Sequence, residues 1–371
     1  MNKKVIKKYN KQLYIFLGIF IIISLISIYS AEEIITGQNN FFIKQLIWYI
    51  LSIILIFLLL KIDNKILYKY SFHLYIFGNI LLLLLLFLGK EINNAKCWFS
   101  IPYIGSFQPS EFMKIILIIV LSKFTNEFNE KYNFPTIKEE FIFLLKIILI
   151  IAIPSILTFL EPDTGVVLIY LLITIVILFI SGIRIRWFIL LCCIILFLIS
   201  FILLIYFFNK DLFINLLGTD FFLRIDRLLD WSNKSGYQLE NGLIAIGSGG
   251  LFGHGFNNTP IYFPEPQTDF IFAVFASNYG FIGASILLIL ILFFDLNLIN
   301  LAKETNRINK YVIAGILGML IYQQFQNIGM TLGIIPITGI TLPFISYGGS
   351  SLLSYMIIIG LTLNISKEKI S

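Results

Sequence analysis

The sequence predicts an all-α integral membrane protein of about ten transmembrane helices, with a long extracytoplasmic loop between the seventh and eighth and a re-entrant loop between the ninth and tenth. Three observations carry this expectation. Hydrophobic residues make up 58% of the 371 and charged residues 13%, against about 25% charged in soluble proteins, and the mean hydropathy is +0.91. The apolar residues form runs close to the roughly 20 that a helix needs to cross hydrocarbon. Charged clusters or Gly/Pro breaks separate these runs, as they must where lipid offers an open backbone no partner.

The first run, 13–31, follows Lys3, Lys4, Lys7, Lys8 and Lys11. It is longer than the core of a signal peptide and lacks a small-x-small cleavage site, so it is expected to stay as the first span. Further spans are expected at 41–61, 66–89, 109–124, 140–160, 165–182, 185–208, 269–297, 311–333 and 350–366. The fourth is the shortest. Only Glu161-Pro162-Asp163-Thr164-Gly165 divides the fifth from the sixth, a turn sequence that cannot continue a helix. The loop at about 209–268 is too long for a simple connector. No repeat or soluble domain interrupts the chain, which reads as a single polytopic domain, 1–371.

Orientation follows from the basic residues at the span ends. With the N-terminus inside, 18 of the 27 Lys and Arg fall on the cytoplasmic side: Lys3, Lys4, Lys7, Lys8, Lys11, Lys61, Lys65, Lys69, Lys123, Lys131, Lys138, Arg184, Arg186, Lys303, Arg307, Lys310, Lys367 and Lys369. Both termini are therefore expected in the cytoplasm. The net charge of +6 reflects this bias and implies no nucleic-acid partner. Cys97, Cys192 and Cys193 suit neither a metal site nor a disulfide framework and are expected to serve packing. Gly, Pro, Asn, Ser and Asp concentrate in four segments, 93–111, 161–165, 209–268 and 333–351, all on the outer face. Function is expected there.

Asp269 opens the eighth span. A lone acid at a membrane boundary is a functional candidate, because leaving it uncompensated costs about 2.5–3.5 kcal/mol at a helix centre. The alternative is a helix cap built by Thr268 and Asp269. Glu111 and Lys114, three apart at the start of the fourth span, can pair on one face; they read as a neutralised ion pair, or as a cavity wall with Lys114 toward an anion. Arg224 and Arg227 alternate with Asp226 and Asp230 in the long loop. Such runs are mostly solvated, but two arginines beside a membrane can also grip a lipid-linked pyrophosphate. His254 and His73 read as solvated and packing residues respectively. The Gly-rich run 247–255 reads as a close-approach loop, lacking the Lys-Ser/Thr ending of a phosphate loop. Segment 333–351, broken by prolines and glycines and containing Ser350, follows Gln323, Gln324, Gln326 and Asn327. It reads either as a re-entrant loop over a polar pocket or as small-residue helix packing.

The motifs P-E-P-Q-T-D-F-I-F-A-V, Q-P-S-E-F-M-K, E-P-D-T-G, G-L-I-A-I-G-S-G-G-L-F-G-H-G and P-I-T-G-I-T-L-P-F-I-S-Y-G-G-S-S, spread over nearly the whole chain, resemble those of the SEDS (shape, elongation, division and sporulation) family. The compact chain with short termini is closer to its elongation branch than to its division branch. The resemblance implies a peptidoglycan glycosyltransferase that polymerises lipid II at the outer leaflet of the bacterial cytoplasmic membrane, working with a class B penicillin-binding protein. It implies that Asp269 is the essential catalytic residue, that Glu111 and Lys114 match a functionally important pair, and that Asp163 matches the acid of the P-D-x-G turn. Two departures stand out. Where the family often has G-A-x-R-W, Cys97 replaces the arginine and leaves Lys96 as the nearby cation; where it often has two glutamates after T-D-F, this chain has Ser277 and Asn278.

In that chemistry a sugar hydroxyl attacks an anomeric carbon and a pyrophosphate leaves. Asp269 would be the general base, and Lys96, Lys114, Arg224 or Arg227 would offset the leaving group's charge. A divalent cation, Mg or Mn, held by Asp269 would serve the same end, although no ligand spacing marks it. A flippase for lipid-linked precursor and a non-catalytic scaffold for the penicillin-binding protein are the competing classes.

Overall fold

In the computed structural model, which describes residues 10–35, 40–92, 95–101, 105–219 and 236–367, each expected apolar run is helical. In chain order the helices are α1 (Lys11–Ile34), α2 (Phe41–Leu59), α3 (Asn64–Leu88), α4 (Pro109–Lys131), α5 (Ile137–Leu160), α6 (Thr164–Ile180), α7 (Ile185–Phe208), α8 (Lys210–Leu217), α9 (Tyr237–Ser248), α10 (Ile271–Lys303), α11 (Arg307–Thr331) and α12 (Gly349–Lys367). Local sequence sets the starts. Asn10, Asp63, Asp163 and Asn306 each accept an orphan N–H of the first turn, and Thr136 with Glu139 closes a reciprocal capping box on α5. Asn40 makes no such bond, so Glu32 of α1 accepts the Phe41 and Phe42 N–H groups instead.

Among the described residues, seven helices are long and apolar enough to cross a membrane: α1, α2, α3, α5, α7, α10 and α12. The remaining long helices, α4, α6 and α11, sit among the others, and α4 and α11 carry the chain's most polar membrane-depth residues. Glu111, Lys114, Gln323, Gln324, Gln326 and Asn327 are all buried. Enclosure by neighbouring helices is what allows such residues at this depth. The opposite case is α7, the most apolar window, of which only Tyr206 is buried. Its Cys192 and Cys193 are exposed rather than packed; only Cys97 is buried.

Four expectations change. The fourth span runs on to Lys131, 23 residues, and is not short. The segment after α3 is not simple loop: β1 (Lys90–Ile92), β2 (Ala95–Ile101) and β3 (Gly105–Phe107) form an antiparallel sheet in that order, Phe99 opposite Phe107. The long loop carries α8 and α9.

The fourth change concerns the expected span 269–297, which is interrupted. Gly280 leaves helical geometry at φ 66°, ψ −166°, and the chain reverses there. Asp269 and Asp295, 26 positions apart, would lie about 39 Å apart along a straight helix. Yet Asn327 Nδ2 donates to the Asp269 carbonyl and Gln324 Nε2 donates to Asp295, three residues apart on α11. The half-helix Ile271–Tyr279 therefore folds back on the span proper, Phe281–Lys303. The Gly-rich loop fills the break: His254 and Gly255 N–H donate to the Ser277 and Asn278 carbonyls, and Phe281 and Ile282 N–H donate to Gly250 and Leu251.

Segment 332–348 is irregular and dips back into the bundle. Phe344 stacks on Phe20 and meets Phe294 edge-on; Ser24 Oγ of α1 donates to Ile345 O, and Tyr49 of α2 donates to Phe344 O. At the opposite end Asn364 Nδ2 donates to the Leu59 and Ile62 carbonyls and Lys367 to Leu60, pinning α12 to the α2–α3 turn.

Candidate active site

Four pieces meet at the loop-bearing end: the first turn of α4, the α5–α6 turn, the re-entrant segment leading into α12, and the Gln267–Asp269 turn ahead of α10. Pro109 opens α4 where its missing N–H costs nothing. One turn on, Lys114 Nζ donates to Glu111 Oε2 at 2.8 Å, the two side chains 0% and 8% exposed. Ser354 Oγ of α12 donates to the same oxygen at 3.2 Å, and the Tyr355 ring lies 5.6 Å from Nζ. The ion pair of the sequence reading is formed. Its cation is enclosed and does not face open space.

Asp163 caps α6 by accepting the Val166 N–H at 3.2 Å, and its second oxygen accepts Gln108 Nε2 at 2.9 Å. Ser350 Oγ accepts the Gln108 N–H at 3.0 Å and donates to Ser106 O. Ser350, Gln108 and Asp163 thus form one chain from α12 across the α4 entrance to α6. Burial pushes the Asp163 carboxyl up to about 6; the Val166 N–H lowers it, the Glu111 charge adds to the rise, and Lys114 and Gln108 oppose it. In the same turn Glu161 has no exposed surface, and both its carboxylate oxygens lack a partner among the described residues. Burial, with the Asp163 charge behind it, pushes it up to about 8, so it is neutral at pH 7. Cys97, where the family arginine is expected, is buried and its thiol donates to Glu161 O at 2.8 Å. Lys96 beside it is exposed.

Asp269 does not cap α10. The helix starts beyond it, with Phe270 at the N-cap and no side-chain cap bond, so the cap reading fails and the carboxylate stays half-buried. Its turn is hung from three successive carbonyls: Tyr347 N–H donates to Gln267 O, Ser346 Oγ to Thr268 O and Asn327 Nδ2 to Asp269 O. A methyl group on Gly339 would come within 3.5 Å of Asp269 Oδ2. A methyl on Gly165 in the first turn of α6 would meet Ile340 at 3.2 Å and Thr338 O at 3.4 Å. The turns bearing Asp163 and Asp269 therefore both lie against the same three residues, 338–340. Desolvation, reinforced by the Glu265 charge, raises the Asp269 carboxyl to about 7.

Among the described residues no three His, Cys, Asp or Glu side chains gather to hold a metal, and Glu265, the acid nearest Asp269 in sequence, already accepts bonds from Gln267 and Thr268. Arg224 and Arg227 lie outside the described residues. His254 is exposed on the Gly-rich loop, 3.0 Å from Ser248 Oγ. Sequence reasoning missed Gln108, Ser354 and Tyr355 as site partners. Gln108 was visible as the first residue of Q-P-S-E-F-M-K, and Ser354 lies one helical turn from Ser350 on the same face.

A model of the FTSW_RODA_SPOVE family, described as cell cycle protein, matches residues 7–371. The chain is 33% identical over 363 residues to the probable peptidoglycan glycosyltransferase FtsW of Coxiella burnetii, covering 93% of each protein, and 32% identical over 370 residues to the stage V sporulation protein E of Bacillus subtilis, again 93% of each. Its fold matches a chain from a peptidoglycan synthase complex that coordinates polymerization and crosslinking, with TM-score 0.78 and 27% identity, covering 97% of this chain and 98% of that one. The rod shape determining protein RodA of Thermus thermophilus matches with TM-score 0.71 and 26% identity over 98% of both chains. With the five motifs, the interrupted helix behind Asp269 and these likenesses together, the chain belongs to the FtsW/RodA/SpoVE family of cell cycle proteins, the SEDS family.

Proposed function

We propose that this protein is a peptidoglycan glycosyltransferase that polymerises lipid II at the outer face of the bacterial cytoplasmic membrane. The observation that carries the reading is Asp269: a half-buried carboxylate, accepting no side-chain hydrogen bond from the described residues, fixed by its backbone and raised toward neutrality. Those are the properties of a general base near physiological pH. In the proposed step Asp269 takes the proton of the acceptor sugar's 4-hydroxyl. The oxygen attacks the donor's anomeric carbon, and the bond to pyrophosphate breaks with its electron pair on the leaving oxygen. Lys114 is committed to Glu111, so the leaving charge falls to Lys96, Arg224 and Arg227. The peptidoglycan glycosyltransferase names of the curated relatives support the reaction class, and the solved synthase complex supports a class B penicillin-binding protein as partner.

The likeness to the rod shape determining protein RodA supports an elongation role. Division is the second reading, favoured by the FtsW names carried by relatives 33% and 34% identical.

The test is polymerisation of labelled lipid II by the purified protein in nanodiscs. Asp269→Asn is expected to lower the rate by at least about 100-fold, the low end of a general base's contribution, while thermal unfolding is unchanged. Since the ionised form is the active one, the wild-type rate should rise with pH through about 7. An Asn variant polymerising at the wild-type rate sinks the reading; lipid II that crosses the bilayer without forming polymer would favour a flippase.

A further inference from the structure

Asn327 is fully buried on α11, and its single amide nitrogen donates to two carbonyls: Asp269 O at 2.9 Å and Ile340 O at 2.8 Å. The first belongs to the turn that carries the proposed base. The second belongs to the re-entrant segment whose Gly339 lies against that base's carboxylate. Tyr347 and Ser346 hold the two preceding carbonyls of the turn, but they ride on the re-entrant segment and move with it. Asn327 instead stands on a regular helix, and it fixes both faces of the pocket to that helix. The amide orientation is set by this pair of acceptors, since an oxygen in place of the nitrogen would oppose two carbonyls. Its Oδ1 is buried with no donor among the described residues, a cost the side chain sustains while both donated bonds are kept.

We infer that Asn327 is a positioning residue for catalysis: it sets the placement of Asp269 against the acceptor hydroxyl by fastening the turn and the re-entrant segment beside it to α11. The inference rests on the base role proposed for Asp269. It predicts that losing the clamp lowers turnover without weakening substrate binding, because displacement of a catalytic group by about 1 Å costs on the order of 100-fold.

The experiment measures lipid II polymerisation by Asn327→Leu and Asn327→Asp in nanodiscs, with Asp269→Asn in parallel and thermal unfolding as the check on folding. For Asn327→Leu, kcat should fall about 10- to 100-fold with KM within about twofold. Asn327→Asp places a second carboxylate beside Asp269, so the midpoint of its pH–rate profile should move upward from the wild-type position. A purely structural role would lower the amount of folded protein and leave the kcat of the folded fraction in place. Wild-type kcat in both variants, a loss expressed only in KM, or a loss that merely tracks the folded fraction overturns the inference. If neither variant folds, Asn327→Gln decides. It keeps the amide but moves it by one methylene, so the two carbonyls it holds must shift; kcat should fall at unchanged KM, and wild-type turnover there overturns the inference. Full activity of Asp269→Asn refutes the base role itself, whereas an inactive Asp269→Asn beside wild-type Asn327 variants refutes only the clamp.

Discussion

Lys114 is a cation with no exposed surface, and what makes that sustainable is a 2.8 Å contact to Glu111 backed by Ser354 and the Tyr355 ring. Removing one partner of a buried pair leaves an uncompensated charge, worth about 3–5 kcal/mol, whereas replacing both with apolar groups of similar volume is close to neutral. Glu111→Leu and Lys114→Met are each expected to lower the melting temperature sharply, and the double variant to recover most of it. A double variant that melts as early as the worse single one would mean that Ser354, Tyr355 and their network depend on the charges themselves. The spacing Glu-x-x-Lys made the pair legible from sequence. Its enclosure was not, because the groups that close over it come from α12, more than 230 residues away. Nor was the state of Asp269 legible: Thr268-Asp269 reads as a good cap, and only the backbone bonds from Tyr347, Ser346 and Asn327 show that the turn is held elsewhere and the carboxylate left open.

The long helices among the described residues were readable because hydrophobic runs bounded by charges leave lipid few alternatives, but the break in α10 was hidden. Residues Phe270–Ala284 are mostly apolar, and Gly280 is one of two glycines within them, with nothing local to set it apart from Gly283. The reversal exists because residues 249–255, some 30 positions upstream, supply donors and acceptors to the freed backbone on both sides of the break. Three-residue strands such as β1 and β3 were equally invisible, since they show too little alternation to read. The glycines of the loop differ in what they tolerate. Gly253 has φ 80° and an added Cβ would sit 2.2 Å from Asn278 O, whereas Gly247, within α9, has nothing within 4 Å. Gly253→Ala is therefore expected to destabilise the fold by more than about 2 kcal/mol through strain and steric overlap. Gly247→Ala should be neutral or stabilising by up to about 1 kcal/mol, from helix propensity alone. Thermal unfolding of the two variants side by side checks this, and a Gly253→Ala protein that melts with wild type would mean that the loop is not what holds the reversal closed.

At the scale of the whole molecule the two ends of the bundle are chemically different. One end collects the helix connections rich in Lys and Arg, and the basic groups there bond across connections: Arg307 donates to Asn129 O, Arg184 to Pro135 O, Lys367 to Leu60 O, while Arg184 and Arg186 flank Glu140. The other end carries the β-sheet, the Glu161–Asp163 turn, the Gly-rich loop and Asp269. Basic connections are retained in the cytoplasm, so the end bearing Asp269 is expected to face outward, where a lipid-linked precursor would present its sugars. A single-cysteine scan tests this in a background with Cys97, Cys192 and Cys193 changed to Ser. With a membrane-impermeant maleimide on right-side-out vesicles, Asn258→Cys in the Gly-rich end should label within minutes and Lys310→Cys at the basic end only after permeabilisation. The reverse pattern would place Asp269 in the cytoplasm and remove outer-leaflet polymerisation as its task.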